Sequence, residues 1–436
     1  MKHLIIALAI LFMAGCGTNE NEEELLGVAE DTYAFFESHT DPDTGLTADR
    51  IDLDLEGAWE EAGHTSPTNI AMYLLSVVSA VEMDILTEEE GFETVQVTLN
   101  SLEEMETWNG LYYNWYFIDS GELMTDWGQF ISTVDNGWLT ASLVILGQYF
   151  DDLAPQTQAL VEAMDYSPLY DDSVGQFRGG FDVEEDSLTS HHYGTFYSET
   201  RITSYLAIGK GDVPEDHWWR LNRTFLPSDT WQSQIPEGEH VSYNGVELFQ
   251  GHYDYEGIQF VPSWGGSMFE ALMPALIINE IELAENGLGL NNARHVEGQI
   301  KYAQMNNYDA WGFSPAAIPD GYSEFGAPVL GIEGYESSAT VTPHASFLAL
   351  DYDSEAVMEN LQTLRDLGLY GDYGYMDTVN LETGIIAETY LALDQGMIML
   401  SIVNYLNDGI MRELFHADEI GSNPEHLLTE EDFGIE

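Results

Sequence analysis

The chain of 436 residues has one cysteine, and its 11 lysines and arginines face 77 aspartates and glutamates, a formal net charge of −66. A single cysteine excludes an internal disulfide. So few cations exclude a nucleic-acid-binding surface and argue against binding to anionic lipid headgroups, since both need clustered lysine and arginine. The acids are spread along the whole chain. Because molar salt shortens the Debye length to about 3 Å, we interpret this charge as adaptation to a saline environment.

The chain also has no apolar run long enough to span a membrane. The apolar run from Leu4 to Met13 follows the basic Lys2 and is too short to span a bilayer. Two small residues and Cys16 follow it, which predicts a lipoprotein signal peptide over residues 1–15, a lipidated Cys16 and a polar tether over 16–23. The alternative is an ordinary secretory signal with a chance cysteine. We expect an exported protein that is held at the cell envelope by its lipid anchor only.

No linker rich in proline, glycine or serine divides the rest, so we predict one domain over 24–420 and an acidic C-terminal tail over 421–436. About a dozen segments have helical periodicity. Some, such as 396–403, are apolar around the whole circumference and must be buried by neighbours on several sides. Alternating buried and outer helices predict an all-α fold, an (α/α)6 toroid with short β-hairpins in the loops at the cleft end.

Aromatic residues are abundant, with 10 Trp, 24 Tyr and 19 Phe, and many lie beside carboxylates between the helices. Such segments are typical of sugar-binding clefts, because the apolar face of a pyranose packs on an aromatic ring. Asp135 opens an apolar helix near Asn136 and Trp138, so it is either an N-cap or a carboxylate at the mouth of a cleft. Glu199 ends an aromatic segment and is either an ion-pair partner of Arg201 or a group for proton transfer.

Three further residues carry weaker signals. Asn69 lies in a helix start whose main role is capping, and it can also face a cleft. Glu270 follows Gly265 and Gly266, which allow a ligand to approach the backbone closely. His344, at the start of an apolar helix, is either a hydrogen-bonded core histidine or a base.

Motifs for other chemistries are missing. The adjacent His191 and His192 have no further ligands at zinc spacing, so no metal is expected. The chain has no Gly-x-Ser-x-Gly elbow and no phosphate-binding glycine loop, so we expect neither a serine nucleophile nor a cofactor. Paired carboxylates remain, and glycoside cleavage needs one protonated acid and one ionised base or nucleophile.

Five runs together resemble a known family. They are Thr65–Ile70, Tyr113–Tyr116, Ser132–Gly137, Trp264–Pro274 and Thr342–Ala345. The chain from about residue 24 to 416 resembles the glucoamylase-like domain of bacterial endo-β-1,2-glucanases (glycoside hydrolase family 144) and of the central part of cyclic β-1,2-glucan synthases. The resemblance implies an (α/α)6 barrel and inverting cleavage of β-1,2-glucan without a cofactor.

The same resemblance places the general acid at Glu199 and an acidic cluster at Asp135. This chain departs from the family in carrying Gln129 and Ser132 just ahead of that helix, with Asp126 further back. The base is therefore Asp135 or Asp126. The departure leaves room for an exo-acting enzyme, another linkage or a transglycosylase.

We therefore predict a monomeric glycoside hydrolase that acts on β-1,2-glucan, or a related β-glucan, by carboxylate acid/base catalysis. The side chains predicted to bind substrate are Trp115, Trp138, Tyr193, Arg201, Trp264, Glu270, Asn69 and His344. The main alternative is a glycan-binding surface lipoprotein without hydrolase activity, which needs the aromatic cleft and no acid pair.

Overall fold

The computed structural model describes residues 2–54, 56–319, 321–335 and 338–435, with side chains from residue 20 onwards. The predicted signal peptide and the side chain of Cys16 lie outside the described side chains, so the lipid anchor stays a prediction. In the described part of the chain, no helix combines the length and the apolar character needed to cross a membrane.

Helices form the body of the molecule and make up about 45% of the chain. They are α1 (Lys2–Ser38), α2 (Pro67–Glu82), α3 (Glu88–Glu104), α4 (Thr133–Tyr149), α5 (Ala154–Ala163), α6 (Arg201–Lys210), α7 (Met268–Leu272), α8 (Glu280–Leu283), α9 (Leu288–Asn306), α10 (Pro343–Phe347), α11 (Ser354–Asp366), α12 (Ala392–Leu406), α13 (Ile410–Ala417), α14 (Glu419–Ser422) and α15 (Glu425–Glu430). Short 3-10 helices cover Ser167–Leu169, Glu215–Arg220, Met273–Leu276 and Pro328–Leu330.

Local sequence sets where the central helices begin. The hydroxyl of Ser66 accepts the N–H of Asn69 at 3.2 Å and caps α2, whose first residue is Pro67. Ser132 caps α4 in the same way, by accepting the N–H of Asp135 at 3.3 Å. Nearly every residue of α2 and α4 is buried. The two helices therefore lie in the centre of the core rather than on its surface.

The buried helices pack closely on one another. Helix α2 lies between α4 and α12, and α4 also contacts α6. Gly396 of α12 has no room for a Cβ because it lies against Met72 of α2, and Gly137 of α4 lies equally close to Thr203 of α6. A second set packs outside the first, with α3 against α2, α5 against α4, α9 against α7 and α11 against α10. The predicted distinction between buried and outer helices is therefore present.

One predicted helix is broken. The periodicity predicts a helix over 267–284, and the structure divides this stretch into α7, a 3-10 helix (Met273–Leu276) and α8. Pro274 explains the break, because proline cannot donate the helical hydrogen bond and its ring clashes with the preceding turn.

The description as all-α is too simple, because the described residues also contain 25 short strands in ten small sheets. The three-stranded sheets, in spatial order, are β2 (Trp59–Glu61), β1 (Arg50–Leu53) and β25 (Thr389–Leu391); β11 (Ser187–Leu188), β10 (Gly180–Asp182) and β7 (Phe130–Ser132); β12 (His192–Tyr193), β9 (Gln176–Arg178) and β8 (Tyr170–Asp171); β13 (Glu237–Tyr243), β14 (Val246–Tyr255) and β15 (Ile258–Phe260); and β20 (Thr340–Val341), β23 (Thr378–Asn380) and β24 (Ile386–Ala387).

The remaining strands form pairs. They are β3 (His64–Thr65) with β6 (Tyr116–Phe117), β4 (Thr107–Trp108) with β5 (Leu111–Tyr112), β16 (Ser263–Gly265) with β19 (Gly331–Gly334), β17 (Ala316–Ile318) with β18 (Gly321–Ser323), and β21 (Tyr370–Gly371) with β22 (Gly374–Tyr375). Only β16 and β19 pair in parallel among the described strands. The strands lie in the segments that connect the helices, and several lead directly into a buried helix, as β7 leads into α4 and β25 into α12.

The predicted acidic tail over 421–436 is wrong. Helix α15 and the residues after it pack on the body, with Leu427 and Phe433 buried. Glu431 accepts two hydrogen bonds from the buried Arg223, at 2.6 and 2.8 Å. A buried ion pair of this geometry fixes the segment in place, since either charge alone would be costly to bury.

Candidate active site

A cavity of about 420 Å³ lies where the buried helices begin. The starts of α2, α4, α7 and α12 and the residue pair before α6 all contribute to it or border it. Its walls are Asp49, Arg50, Ser66, Thr68, Asn69, Asn114, Trp115, Val134, Asp135, Glu199, Phe269, Tyr322, Leu391 and Leu393. A concave site with apolar and aromatic walls and a few convergent polar groups is typical of small-ligand binding.

Among the carboxyl groups that line this cavity, Glu199 has the most strongly raised pKa. It lies in the turn before α6 and is partly buried. Burial, and then the nearby charges of Glu270 and Asp135, raise the pKa of Glu199 well above its usual range. This shift favours the protonated form of the side chain, which is the state that a general acid needs.

Asp135 faces the same cavity from different surroundings. It lies in the first turn of α4, where the helix macrodipole favours negative charge. Its Oδ1 accepts the hydroxyl hydrogen of Thr68 at 2.5 Å. Glu199 and Asp135 thus form a pair in which burial favours the neutral form of Glu199 while Asp135 receives hydrogen bonding suited to a carboxylate. Such a division of roles is what paired-carboxylate chemistry requires.

Glu270 lies behind Glu199 and does not line the cavity. Its Oε2 accepts the backbone N–H of Glu199 at 3.1 Å. Burial raises the pKa of Glu270 to about 7, against the lowering effects of that hydrogen bond and of Arg201. The structure therefore connects Glu270 to the backbone and the protonation state of Glu199.

The prediction that Arg201 binds sugar hydroxyls is wrong. Its side chain is fully buried, and it donates to both carboxylate oxygens of Glu280 at 2.6 and 3.0 Å. It also donates to the carbonyl oxygens of Ser198, Glu270 and Ala271 at 3.0, 3.3 and 2.6 Å. A desolvated guanidinium must be paired in this way, so Arg201 joins the start of α6 to α7 and α8 and has no donor left for a ligand.

Trp138 and His344 also lie away from the ligand space. Trp138 is fully buried, so it has no face on which a sugar could stack. Its indole N–H is directed at Glu199 and opposes the rise in the pKa of that group, although no hydrogen bond of normal geometry closes between them. His344 is buried between Thr342 and Ser314, at 2.8 and 3.0 Å. Both predictions of substrate contact are therefore wrong.

The other predicted residues divide into two groups. Asn69 and Trp115 line the cavity. Tyr193 borders it, since the charges of Glu199, Asp135 and Glu270 add to burial in raising the pKa of its phenol.

Trp264 and Asp126 lie further from the cavity walls. Trp264 is partly exposed in β16 and contacts Tyr335, whose pKa is raised by burial and then by Glu270. Asp126 is exposed in the turn after β6 and is not part of the cavity wall. It is therefore poorly placed to activate water at Glu199.

Sequence reasoning missed Asp49 on the cavity wall. Its Oδ1 accepts the side-chain N–H of Asn69 at 2.7 Å, and its Oδ2 lies 3.7 Å from Nε2 of His64. Burial raises the pKa of Asp49, while Asn69 and His64 oppose the rise. No motif surrounds Asp49 in the sequence. It reaches the site because it directly precedes β1.

A buried cluster next to the cavity was predicted only in part, since His344 is its one member among the predicted site residues. His344, Asp377 and Asp394 each offer one ligand atom within 4.8 Å of the others, a spacing at which they could hold a metal ion or share protons. Burial raises the pKa of Asp394 to about 7 and, with Asp394, raises that of Asp377 well above its usual range. His344 lies in α10, Asp377 in the turn before β23, and Asp394 in α12. No local sequence spacing therefore predicts the cluster.

Comparison with protein families gives two matches. A family model named Glycoamylase and described as "Putative glucoamylase" matches residues 191–419, and a model of a protein family of unknown function, DUF3131, matches residues 27–204. The first covers more than half of the chain and includes Glu199 and Glu270.

Two relatives of known activity are similar over most of this chain. The cyclic β-(1,2)-glucan synthase NdvB of Rhizobium meliloti is 30% identical over 335 residues, which cover 72% of this chain and 11% of that protein. The exo β-1,2-glucooligosaccharide sophorohydrolase of Parabacteroides distasonis is 22% identical over 439 residues, which cover 88% of this chain and 55% of that protein. The chain thus spans about a tenth of the first relative and about half of the second.

Solved structures share the fold. The endo-β-1,2-glucanase of Chitinophaga pinensis, in complex with sophorotriose and glucose, has a TM-score of 0.72 at 17% identity and covers 94% of this chain and 98% of its own. The β-1,2-glucanase of Parabacteroides distasonis has a TM-score of 0.75 at 18% identity, over 94% of this chain and 60% of its own. These likenesses show the fold, and the family match over residues 191–419 assigns the chain: it belongs to the glucoamylase-like family.

Proposed function

We propose that this chain is a glycoside hydrolase that cleaves β-1,2-glucan, with Glu199 as the general acid and Asp135 as the general base. One observation carries the proposal: a partly buried Glu199, whose pKa burial raises, and a hydrogen-bonded Asp135 face one cavity that also has an aromatic wall. The β-1,2-glucan linkage is supported by the names of the two relatives and of the solved glucanases. Asp126 is dropped as a candidate base because it lies outside the cavity wall.

The chemistry follows from these two environments. Glu199 donates its proton to the glycosidic oxygen as the bond from C1 to that oxygen breaks. Asp135 takes a proton from a water molecule, whose oxygen forms the new bond to C1 from the opposite face of the ring. The product anomer is therefore inverted, and both carboxyl groups exchange protonation states before the next turnover.

The positions of the helices suit this role. The inner helices α2, α4, α6, α7 and α12 begin at or beside the cavity, α10 packs against α12, and outer helices pack behind them. We infer that these helices close into the predicted (α/α)6 ring, with the cavity at its mouth. Each catalytic side chain then lies in or just before the first turn of a buried helix, where packing restricts its movement.

The first experiment uses the chain from residue 17, in molar salt, with linear β-1,2-glucan and with α-1,4- and β-1,3-glucans as controls. We expect reducing ends and short oligosaccharides from the β-1,2 polymer alone, and an inverted anomer by nuclear magnetic resonance. Endo and exo action differ in the product sizes, and transglycosylation gives new linkages without new reducing ends. No release from any glucan by a folded protein would contradict the proposal and favour a glycan-binding role.

We also propose that the protein is an exported lipoprotein anchored through Cys16, on the strength of the sequence pattern before that residue. Growth of expressing cells with a labelled fatty acid tests this. The label should enter the protein and should be lost in the Cys16→Ser variant. Equal labelling of both forms, or of neither, would contradict the anchor.

A further inference from the structure

Three rings form a cluster at the edge of the cavity, which we name the aromatic rim: His64, Trp115 and Trp127. The ring centroids of His64 lie 5.0 Å from Trp115 and 4.7 Å from Trp127, and the two indoles are 5.4 Å apart. All three pairs are nearly perpendicular, with interplanar angles of 83°, 85° and 87°. Edge-to-face packing of this kind is favourable and holds each ring in one orientation.

The aromatic rim connects the cavity to the solvent. Trp115 lines the cavity, whereas Trp127 lies outside its wall. Trp127 is 58% exposed, the largest exposed fraction of any tryptophan among the described residues. An indole this exposed contributes little free energy of apolar burial to the fold. A ligand that covers it would therefore bind with the help of that free energy.

The backbone fixes Trp127 in this position. The segment after β6 folds back on it, with N–H groups of Phe117 and Met124 donated to the carbonyl oxygens of Glu122 and Trp115 at 3.0 and 3.1 Å. The N–H of Gly128 closes a turn onto the carbonyl oxygen of Thr125 at 3.1 Å, around Trp127 itself. The indole is therefore presented by an ordered turn, which lowers the entropy lost when a ligand binds to it.

The surrounding charge narrows the choice of ligand. A chain with a net charge of −66 repels anionic membrane surfaces and acidic partners. A neutral sugar chain has no such penalty, and its pyranose rings offer apolar faces that suit indoles. The contact between Trp127 and the cavity-lining Trp115 makes the two surfaces continuous.

We propose that Trp127 is a stacking platform for a glucosyl residue of the substrate outside the cavity, so that longer glucan chains bind more tightly than those confined to it. This inference rests on the proposed function, because it takes the ligand to be a glucan. Replacing the indole with an aliphatic side chain should weaken binding of long chains roughly threefold to tenfold. Binding of chains too short to leave the cavity should not change.

The test measures dissociation constants by calorimetry in molar salt. The Glu199→Gln background prevents turnover, and the ligands are β-1,2-linked disaccharides and chains of ten or more residues. Trp127→Leu should weaken only the long ligands, and Trp127→Phe, which keeps a ring, should restore most of the affinity. Phe117→Leu is the matched control, since Phe117 is 37% exposed on the same fold-back segment and lies opposite His64 through the backbone pairing of β3 and β6.

The outcomes distinguish failure of this inference from failure of the proposed function. Equal loss for short and long ligands, or no loss in Trp127→Leu, overturns the platform even where the wild type hydrolyses glucan. Chain-length-dependent binding that Trp127→Leu abolishes supports the platform even where the wild type releases no product. If no variant binds glucan of any length, the platform is overturned together with its premise.

Discussion

The buried pair of Arg201 and Glu280 gives a prediction whose size follows from the structure. Both side chains are fully buried and joined by two hydrogen bonds, so Glu280→Gln leaves the guanidinium without its countercharge. Removing one partner of such a pair costs about 3–5 kcal/mol. The chain has 436 residues, and at about 2.1 cal/mol/K per residue its unfolding entropy is about 0.9 kcal/mol/K, so Tm should fall by about 3–5 °C.

Scanning calorimetry in molar salt measures this change, and the chain contains a matched control. Arg294 and Glu297 form another arginine–glutamate pair at 2.9 Å, but the side chain of Glu297 is 53% exposed. Exposed pairs contribute about 0–1 kcal/mol, so Glu297→Gln should lower Tm by about 1 °C at most. Equal shifts in the two variants would refute the argument. A large rise in KM with an unchanged Tm in Glu280→Gln would restore Arg201 as a ligand of the sugar.

Three further predictions concern charge. The folded-state pKa of Glu270 and of Asp394 is about 7, raised from 4.5 and 3.8, so the native state holds more protons between these values and stability should fall as pH rises from about 4 to 7; Glu270→Gln and Asp394→Asn should each flatten this fall in pH-dependent unfolding, and an unchanged slope would contradict it. Tm should rise from low to molar sodium chloride because screening relieves repulsion among the acids, whereas a constant Tm would remove the case for salt adaptation. Asp135→Asn should lose at least a hundredfold in turnover and Asp126→Asn little, and the reverse order in steady-state assays would exchange their roles.

Local sequence signals predicted much of the fold. Capping residues and a first-turn proline placed the starts of α2 and α4 to within a few residues, because these signals act through hydrogen bonds three residues away, although the cap of α4 is Ser132 and not Asp135. The predicted tail failed for a related reason. Its acids suggested a solvated segment, but Leu427, Phe433 and the Arg223–Glu431 pair supply the burial that composition alone does not reveal.

The site was predicted in part. Glu199, Asp135, Asn69 and Trp115 meet at one cavity because each lies at or near the start of a buried helix or in the segment leading to one. Sequence spacing could not tell which way Trp138 points, so a core residue was taken for a sugar contact.

The residues that sequence reasoning missed depend on distant contacts. Asp49 reaches the cavity through the first sheet, and its partners Asn69 and His64 are 20 and 15 residues away in the chain. The cluster of His344, Asp377 and Asp394 is assembled from three elements. Only tertiary packing brings such groups together, so no local pattern predicts them.

The measurement that tests the central claim most directly compares Glu199→Gln with the wild type on two substrates. Linear β-1,2-glucan needs a proton on its leaving oxygen, whereas β-sophorosyl fluoride does not. If Glu199 is the general acid, the variant loses roughly 10²–10⁴-fold in turnover of the glucan and keeps most of its activity on the fluoride. Near-normal turnover of the glucan, or equal losses on both substrates by a folded variant, would contradict the assignment.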